Sequence, residues 1–234
     1  MPNNTESTLW CVVPAAGRSL RAGGEIPKQY RPIAGKPMLM HTLTRLATHP
    51  RVAGLMVVLA PNDTYWAGMG NLRGKPVRKA EGGEERADSV LAGLRALRDV
   101  VQDSQFILVH DAARPCVRSD DITRLVELGV PAGGALLAAP MHDTLKRAGT
   151  DNRVVLTEPR DARWRALTPQ LFRYGELVAA LEAARKANVA ITDEAMAMER
   201  AGNRPLLVEG SADNIKVTTA PDFALAEFLI QKET

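Results

Sequence analysis

The stretch Pro14 to Tyr30 reads PAAGRSLRAGGEIPKQY, a glycine turn behind an apolar run, followed by the cations Arg18, Arg21 and Lys28. Small residues at Pro14, Ala15, Ala16 and Gly17 let a polyphosphate approach the backbone N–H groups. Arg21 and Lys28 then supply mobile positive charge. Neither common nucleotide-loop pattern is met: Ser19 stands where a dinucleotide fingerprint has its second glycine, and no Gly-Lys-Ser/Thr opens a helix. A surface loop with chance cations would show the same spacing, so the remaining motifs have to decide.

GGEERADSV places Gly82 and Gly83 directly before a helix, with Glu84 between them and Ser89. A base or ribose lying on a Gly-Gly backbone is read by main-chain groups, and Ser89 adds one hydrogen bond to a pyrimidine edge. A helix-capping loop, with Asp88 and Arg86 as a local ion pair of little energetic worth, is the competing reading. In VHDAARP, Asp111 and Arg114 follow an apolar strand, where a carboxylate commonly faces a ligand or the water shell of a bound cation. His110, like His41, His49 and His142, has no second histidine at ligand spacing and reads as structural. Lys216 lies in a polar passage, SADNIKVTTAPDFALAE, and alone would pass for a solvated charge. No Gly-x-Ser-x-Gly elbow and no Cys/His/Asn set argues for covalent catalysis.

Positioning these groups falls to an alternation of apolar strands and amphipathic helices. LWCVVPAA, GLMVVLAP, a weaker KPVRKA, QFILVHDAARP and GGALLAAP read as strands. Between them, KPMLMHTLTRLATHP is a helix with Pro37 at its first position, ADSVLAGLRALRDV a second, and SDDITRLVELG a third with Ser119 as N-cap and Gly129 closing it. Strands apolar on both faces and separated by helices imply a mostly parallel sheet covered on two sides, a three-layer α/β fold. The polar motifs fall at strand ends, where such sheets bind ligands. From Met141 to about Ala166 the alternation breaks into a polar hairpin around GTDN, with too little apolar surface to fold alone. Beyond it come the helices RYGELVAALEAARKAN and TDEAMAMERAG, the strand RPLLVEG and a closing helix PDFALAEFLIQKE.

A chain of 234 residues can bury one substantial core, and residues 1–234 are read as a single domain carrying this arm. The net charge of +3 is spread among 27 acids and few aromatics, so mild attraction for small anions is expected rather than a nucleic-acid face. Two cysteines, Cys11 and Cys116, read as small buried thiols. With no apolar run of membrane-spanning length and a polar start, MPNNTESTLW, the expectation is a soluble cytoplasmic protein with no membrane partner.

In this order, VVPAAG, PKQY, GGEERADSVLAGL, LVHDAARPCV, AAPMHDTLKR, ALTPQLF, ITDEAMAME and VEGSADNIKVT resemble the 2-C-methyl-D-erythritol 4-phosphate cytidylyltransferase family across almost the whole chain. The resemblance implies a Rossmann-like nucleotidyltransferase fold, CTP and 2-C-methyl-D-erythritol 4-phosphate as substrates, and Mg²⁺ held mainly through the CTP phosphates rather than by protein ligands. It implies catalytic roles for Arg21, Lys28 and Lys216. CTP binding falls to Pro14, Ala15, Ala16, Gly17, Gly82, Gly83, Glu84, Ser89 and Asp111, and acceptor binding to Asp111, Arg114, Thr144, Arg160, Thr168, Thr192 and Lys216. The arm is implied to cross a homodimer and bring Thr144 and Arg160 to the neighbouring subunit's site. Ser19 replaces the family's second loop glycine, Ala22 its methionine and Glu84 its usual aspartate. A sister cytidylyltransferase for a polyol phosphate such as ribitol 5-phosphate, an NAD-dependent oxidoreductase and a non-catalytic nucleotide-binding protein are the alternatives.

Overall fold

The computed structural model describes residues 9–17 and 26–232. β1 (Leu9–Pro14) opens the sheet, and a short 3-10 turn at Lys28–Tyr30 leads to the small antiparallel pair β2 (Pro32–Ile33) and β3 (Lys36–Pro37). α1 (Met38–Thr48), β4 (Val52–Leu59), β5 (Asn71–Leu72), β6 (Lys75–Glu81), α2 (Arg86–Arg95), β7 (Phe106–Val109), α3 (Ser119–Ala132) and β8 (Gly134–Pro140) follow. The chain then forms β9 (Leu145–Ala148), β10 (Val154–Glu158), β11 (Trp164–Arg173), α4 (Tyr174–Lys186), α5 (Glu194–Arg200), β12 (Leu206–Glu209) and α6 (Ala220–Lys232). Among the described residues, no helix is long and apolar enough to cross a membrane.

The main sheet runs in the order β12-β8-β11-β7-β1-β4-β6-β5. β7, β1, β4 and β6 pair in parallel, so their carboxyl ends lie side by side, as does the parallel pair β8 and β12 further along. The apolar strands owe their double-sided burial to two helical layers. On one face Leu39, Leu43 and Leu46 of α1 and Ile122 and Leu125 of α3 pack on Cys11, Val13, Leu55 and Val57. On the other, Leu91 and Leu94 of α2, Leu177 and Leu181 of α4 and Met198 of α5 pack on Val12, Met56, Val58 and Ile107. Gly93 permits α2 to lie this close, since a Cβ there would stand 2.6 Å from Val58 Cγ2 and 2.8 Å from Val12 Cγ1. Both thiols are buried, as expected.

Three readings are corrected. α3 runs past Gly129 to Ala132: Gly129 is a buried interface residue facing Ala135 and Leu171, and Gly133, at φ +80°, ends the helix. Ser119 is the first helical residue, and the cap position falls to Arg118 without a side-chain cap bond. The larger miss is β11, a ten-residue strand running antiparallel between β7 and β8 where the sequence suggested the end of the arm. Its polar start at Trp164–Arg165 and its internal Pro169 argue against a central strand. Pro169 is accommodated because the pairing with β8 is interrupted between Ala166 and Gln170. The expected hairpin is present as β9 and β10, a two-stranded sheet of its own with Val154 and Val155 more than half exposed.

Candidate active site

At the carboxyl ends of β1, β4, β6 and β7 lies a cleft of about 830 Å³. Pro14, Ala15, Ala16 and Gly17 form one wall, continuing β1, whose last turn is held by the Ala15 N–H donating to the Val58 carbonyl at 2.7 Å. Gly82, Gly83, Glu84 and Ser89 form the opposite wall between β6 and α2. These walls touch: a Cβ on Gly82 would stand 2.5 Å from Ala16 Cβ and 2.7 Å from Ser89 Oγ. The two glycine motifs, 66 positions apart in the numbering from Ala16 to Gly82, thus make one continuous small-residue floor. Ser89, almost fully buried, donates to the Glu85 carbonyl at 3.2 Å and keeps its lone pairs for a ligand donor.

Lys28 and Lys216 enter the cleft from the side. Lys28 Nζ donates to the Val217 carbonyl at 2.7 Å, tying it to the segment that carries Lys216, 188 positions further along the chain. Gln29, which sequence reasoning passed over, is buried and donates from Nε2 to the Ala15 carbonyl at 2.8 Å, fixing the small-residue turn. Arg21, with Arg18, Ser19 and Ala22, lies outside the described residues.

Asp111 is the hub. Its Oδ1 accepts from Arg86 Nε at 2.8 Å, and its Oδ2 lies 2.9 Å from Lys216 Nζ and 3.6 Å from Arg114 Nε. Burial alone would raise the carboxyl pKa, but Arg86, then Lys216 and Arg114, hold it far below the usual range. Arg86 is therefore no local partner of Asp88, which instead lies 3.6 Å from Arg185. Its other edge forks onto Glu194, Nη1 to Oε1 at 2.7 Å and Nη2 to Oε2 at 3.1 Å, and Glu194 is fully buried. Burial pulls the Arg86 pKa down; Glu194 and Asp111 more than reverse it. No spacing rule could have found a pair 108 positions apart.

Behind Asp111 stands a second layer. His110 Nε2 lies 3.1 Å from the Arg114 carbonyl, which can only accept, so Nε2 carries the proton and Nδ1 accepts from Thr168 Oγ1 at 3.0 Å. Thr168 Oγ1 in turn accepts from the Asp111 N–H at 3.0 Å. His110 is structural, as the sequence suggested, and burial pushes its pKa down to about 4. Thr168 has both its contacts within the protein and is itself buried. Arg114 donates to the Asn214 carbonyl at 2.7 Å, binding the Lys216 segment to the loop after β7, and Asn214 Nδ2 donates to the Thr168 carbonyl at 2.7 Å.

Of the seven predicted acceptor residues only Asp111 and Lys216 line this cleft; Arg114 and Thr168 are buried behind it, and three others lie away from it. Thr144 and Arg160 are exposed at the root of the arm, where Arg160 donates to the His142 carbonyl. Thr192 is exposed just ahead of α5, its hydroxyl 3.4 Å from Met196 Sδ. As for a metal, both oxygens of Asp111 are already engaged by cations, and no group of three or more His, Cys, Asp or Glu among the described residues could cage an ion. The donor set suits a cation carried in on polyphosphate oxygens.

Taken together, the cleft joins a small-residue floor, Ala16, Gly82 and Gly83, to the cationic side chains of Lys28, Arg86 and Lys216. A family model described as IspD, 2-C-methyl-D-erythritol 4-phosphate cytidylyltransferase, matches residues 9–232. The protein of that name from Stenotrophomonas maltophilia R551-3 is 55% identical over 227 residues, covering 97% of this chain and 98% of the relative. One from Xanthomonas euvesicatoria pv. vesicatoria is 54% identical over 222 residues, covering 94% of this chain and 84% of the relative. The solved structure from Francisella tularensis superposes with a TM-score of 0.81 at 35% identity, covering 95% of this chain and 100% of that one. That from Thermus thermophilus gives 0.79 at 29%, covering 96% and 99%. Matched by the family model over residues 9–232 and 55% identical to a relative over nearly its whole length, the chain belongs to the 2-C-methyl-D-erythritol 4-phosphate cytidylyltransferase family.

Proposed function

We propose that this chain transfers CMP from CTP to 2-C-methyl-D-erythritol 4-phosphate, giving 4-diphosphocytidyl-2-C-methyl-D-erythritol and pyrophosphate in isoprenoid precursor biosynthesis. An oxygen of the acceptor phosphate attacks the α-phosphorus. A new P–O bond forms there as the bond to the bridging oxygen of pyrophosphate breaks. The observation that carries this is that Lys28 and Lys216 line the same cleft as the Ala16, Gly82 and Ser89 floor.

The cytosine lies on the Gly82–Gly83 backbone, with the Ser89 hydroxyl accepting from its exocyclic amine. Two polyanions must approach, so repulsion and positioning dominate the barrier and the enzyme needs cations more than a base. Lys28 and Lys216 supply them, with Arg21 from the first loop, and Asp111 holds the Lys216 ammonium in place and contacts the sugar. Glu84, Pro14 and Gly17 complete the nucleotide's surroundings. When bound, Mg²⁺ neutralises charge on the triphosphate oxygens.

The acceptor lies beside Asp111 and Lys216, with Arg114 and Thr168 supporting Asp111 from behind and with Thr144 and Arg160 reaching in from the arm of a second copy. The exposed Val154 and Val155 support that homodimer, since an isolated two-stranded sheet with bare valines is poorly stable in water. Residues 1–234 act as one domain in the cytoplasm, with CTP and the acceptor as partners and no membrane or nucleic acid. The test is pyrophosphate release from CTP and Mg²⁺ with 2-C-methyl-D-erythritol 4-phosphate or ribitol 5-phosphate as acceptor. Release with the first is expected; release with the second alone, or CTP binding without turnover, overturns the reading.

A further inference from the structure

Glu194 opens α5 on the far side of Arg86 from the cleft, and no side chain of the transfer chemistry touches it. Yet it is the end of an unbroken series of charge pairs: Glu194 to Arg86, Arg86 to Asp111, Asp111 to Lys216. We infer that Glu194 is a positioning residue for the transfer step, holding Arg86 so that Asp111 in turn holds Lys216. The inference rests on the proposed cytidylyl transfer and deepens it.

The geometry has three parts. Glu194 engages both terminal nitrogens of Arg86, so the guanidinium plane is set by α5 and cannot rotate about its own axis. The remaining Nε–H then points at Asp111 Oδ1 alone, leaving Oδ2 for Lys216. Finally, the anchor itself is fixed. Gln170 of β11, almost fully buried, donates to Asp193 Oδ2 at 3.0 Å and accepts from the Ala195 N–H at 2.7 Å, clamping α5 on either side of Glu194.

Charge makes the same point. Around Asp111 stand the cations Arg86, Arg114 and Lys216, and the two carboxylates of Asp111 and Glu194 leave one positive charge in surplus. Without Glu194 the surplus doubles, and Arg86 is released to compete with Lys216 for Asp111. A fork serving only to join α2 to α5 would have no such consequence, and the difference is measurable.

The experiment compares the wild type with Glu194→Gln, Lys216→Gln and the double variant, by steady-state pyrophosphate release from CTP and 2-C-methyl-D-erythritol 4-phosphate and by calorimetric CTP binding. Glu182→Gln, which removes a carboxylate from the exposed Arg95 pair, is the control. Glu194→Gln is expected to lower kcat by about tenfold to a hundredfold, less than loss of a direct donor, while CTP affinity stays within about threefold. Because Glu194 works through Lys216, the double variant should be no slower than Lys216→Gln alone. Losses that multiply, or a Glu194→Gln kcat within about twofold of wild type, overturn the inference. Should Glu194→Gln lack a cooperative melt, Glu194→Asp, which keeps the charge and withdraws it from the fork, is read by the same criteria. An inert wild type overturns the proposed function as well; an active wild type with multiplying losses overturns this inference alone.

Discussion

Replacing His110 with glutamine should flatten the acid limb of the stability profile. His110 is fully buried, and burial pushes its pKa from 6.5 down to about 4. In the unfolded chain the imidazole takes a proton below about pH 6.5, while the folded protein refuses it until about pH 4. The unfolded state therefore binds more protons in that window, and stability falls as pH falls, by up to about 1.4 kcal/mol per unit. Above pH 6.5 the contribution is complete; by pH 4 about 3 kcal/mol is gone, a large share of the ~5 to 15 kcal/mol typical of a domain. Glutamine can still donate to the Arg114 carbonyl but does not titrate. His49, lowered by burial and then by Arg51, is present in both proteins and cancels in the difference. Asp111, held low by Arg86, Lys216 and Arg114, loses its contribution only below the ordinary carboxylate range, outside the window. Urea melts at pH 7.5, 5.5 and 4.5 supply the test. The wild type should lose about 2 to 3 kcal/mol more than His110→Gln between the extremes. Parallel profiles would refute a neutral buried imidazole behind Asp111.

Four further outcomes are expected, the one for Arg21 from the sequence of the first loop and the others from the geometry. Lys28→Ala and Arg21→Ala should each lower turnover by about 10² to 10³, as loss of one transition-state donor does; near-normal kcat in either variant removes that residue from the mechanism. Gly82→Ala puts a methyl against Ala16 and Ser89, so it should cost about 1 to 3 kcal/mol of stability and raise KM for CTP at least about tenfold in the protein that remains folded; unchanged KM would show that the base lies elsewhere. Gly93→Ala should destabilise by about 1 to 3 kcal/mol, because Val58 and Val12 must yield to the new Cβ, and a stabilised variant would contradict that packing. Val155→Asp in the exposed arm should shift sedimentation from dimer towards monomer and lower activity with it; an active monomer refutes a site shared between copies.

Local chemistry was readable because it is local. The strands of β1, β4, β7 and β8 announce themselves as apolar runs, and the glycine motifs mark where a backbone must come close to something. Even the arm was visible as a break in the alternation. What escaped depends on contacts between distant parts of the chain. Arg86 has an aspartate two positions away, Asp88, and prefers partners at 111 and 194, since only the fold says which carboxylate lies beneath α2. Gly129 looks like a stop signal, yet it is small because Ala135 and Leu171 press on the helix. Gln29 gives no sign in its own segment that it supports Ala15. β11 was hidden by Pro169, whose missing N–H is harmless only where the ladder is already broken.

The late arrival of β11 also governs how the chain is made. β7 and β8 are consecutive apart from α3, yet they never pair; the strand that separates them begins only at Trp164. A chain still in synthesis, with residues up to 160 emerged, carries three strand edges that nothing yet made can satisfy in the native order, one on β7 and both on β8, whose other neighbour β12 is later still. Those edges include Ile107, Leu108, Leu136 and Leu137, a run of apolar backbone suited to pairing with the wrong strand or with another nascent chain. Insertion of β11 closes the gap between β7 and β8 and buries Thr168 behind Asp111; β12 covers the far edge of β8 later still.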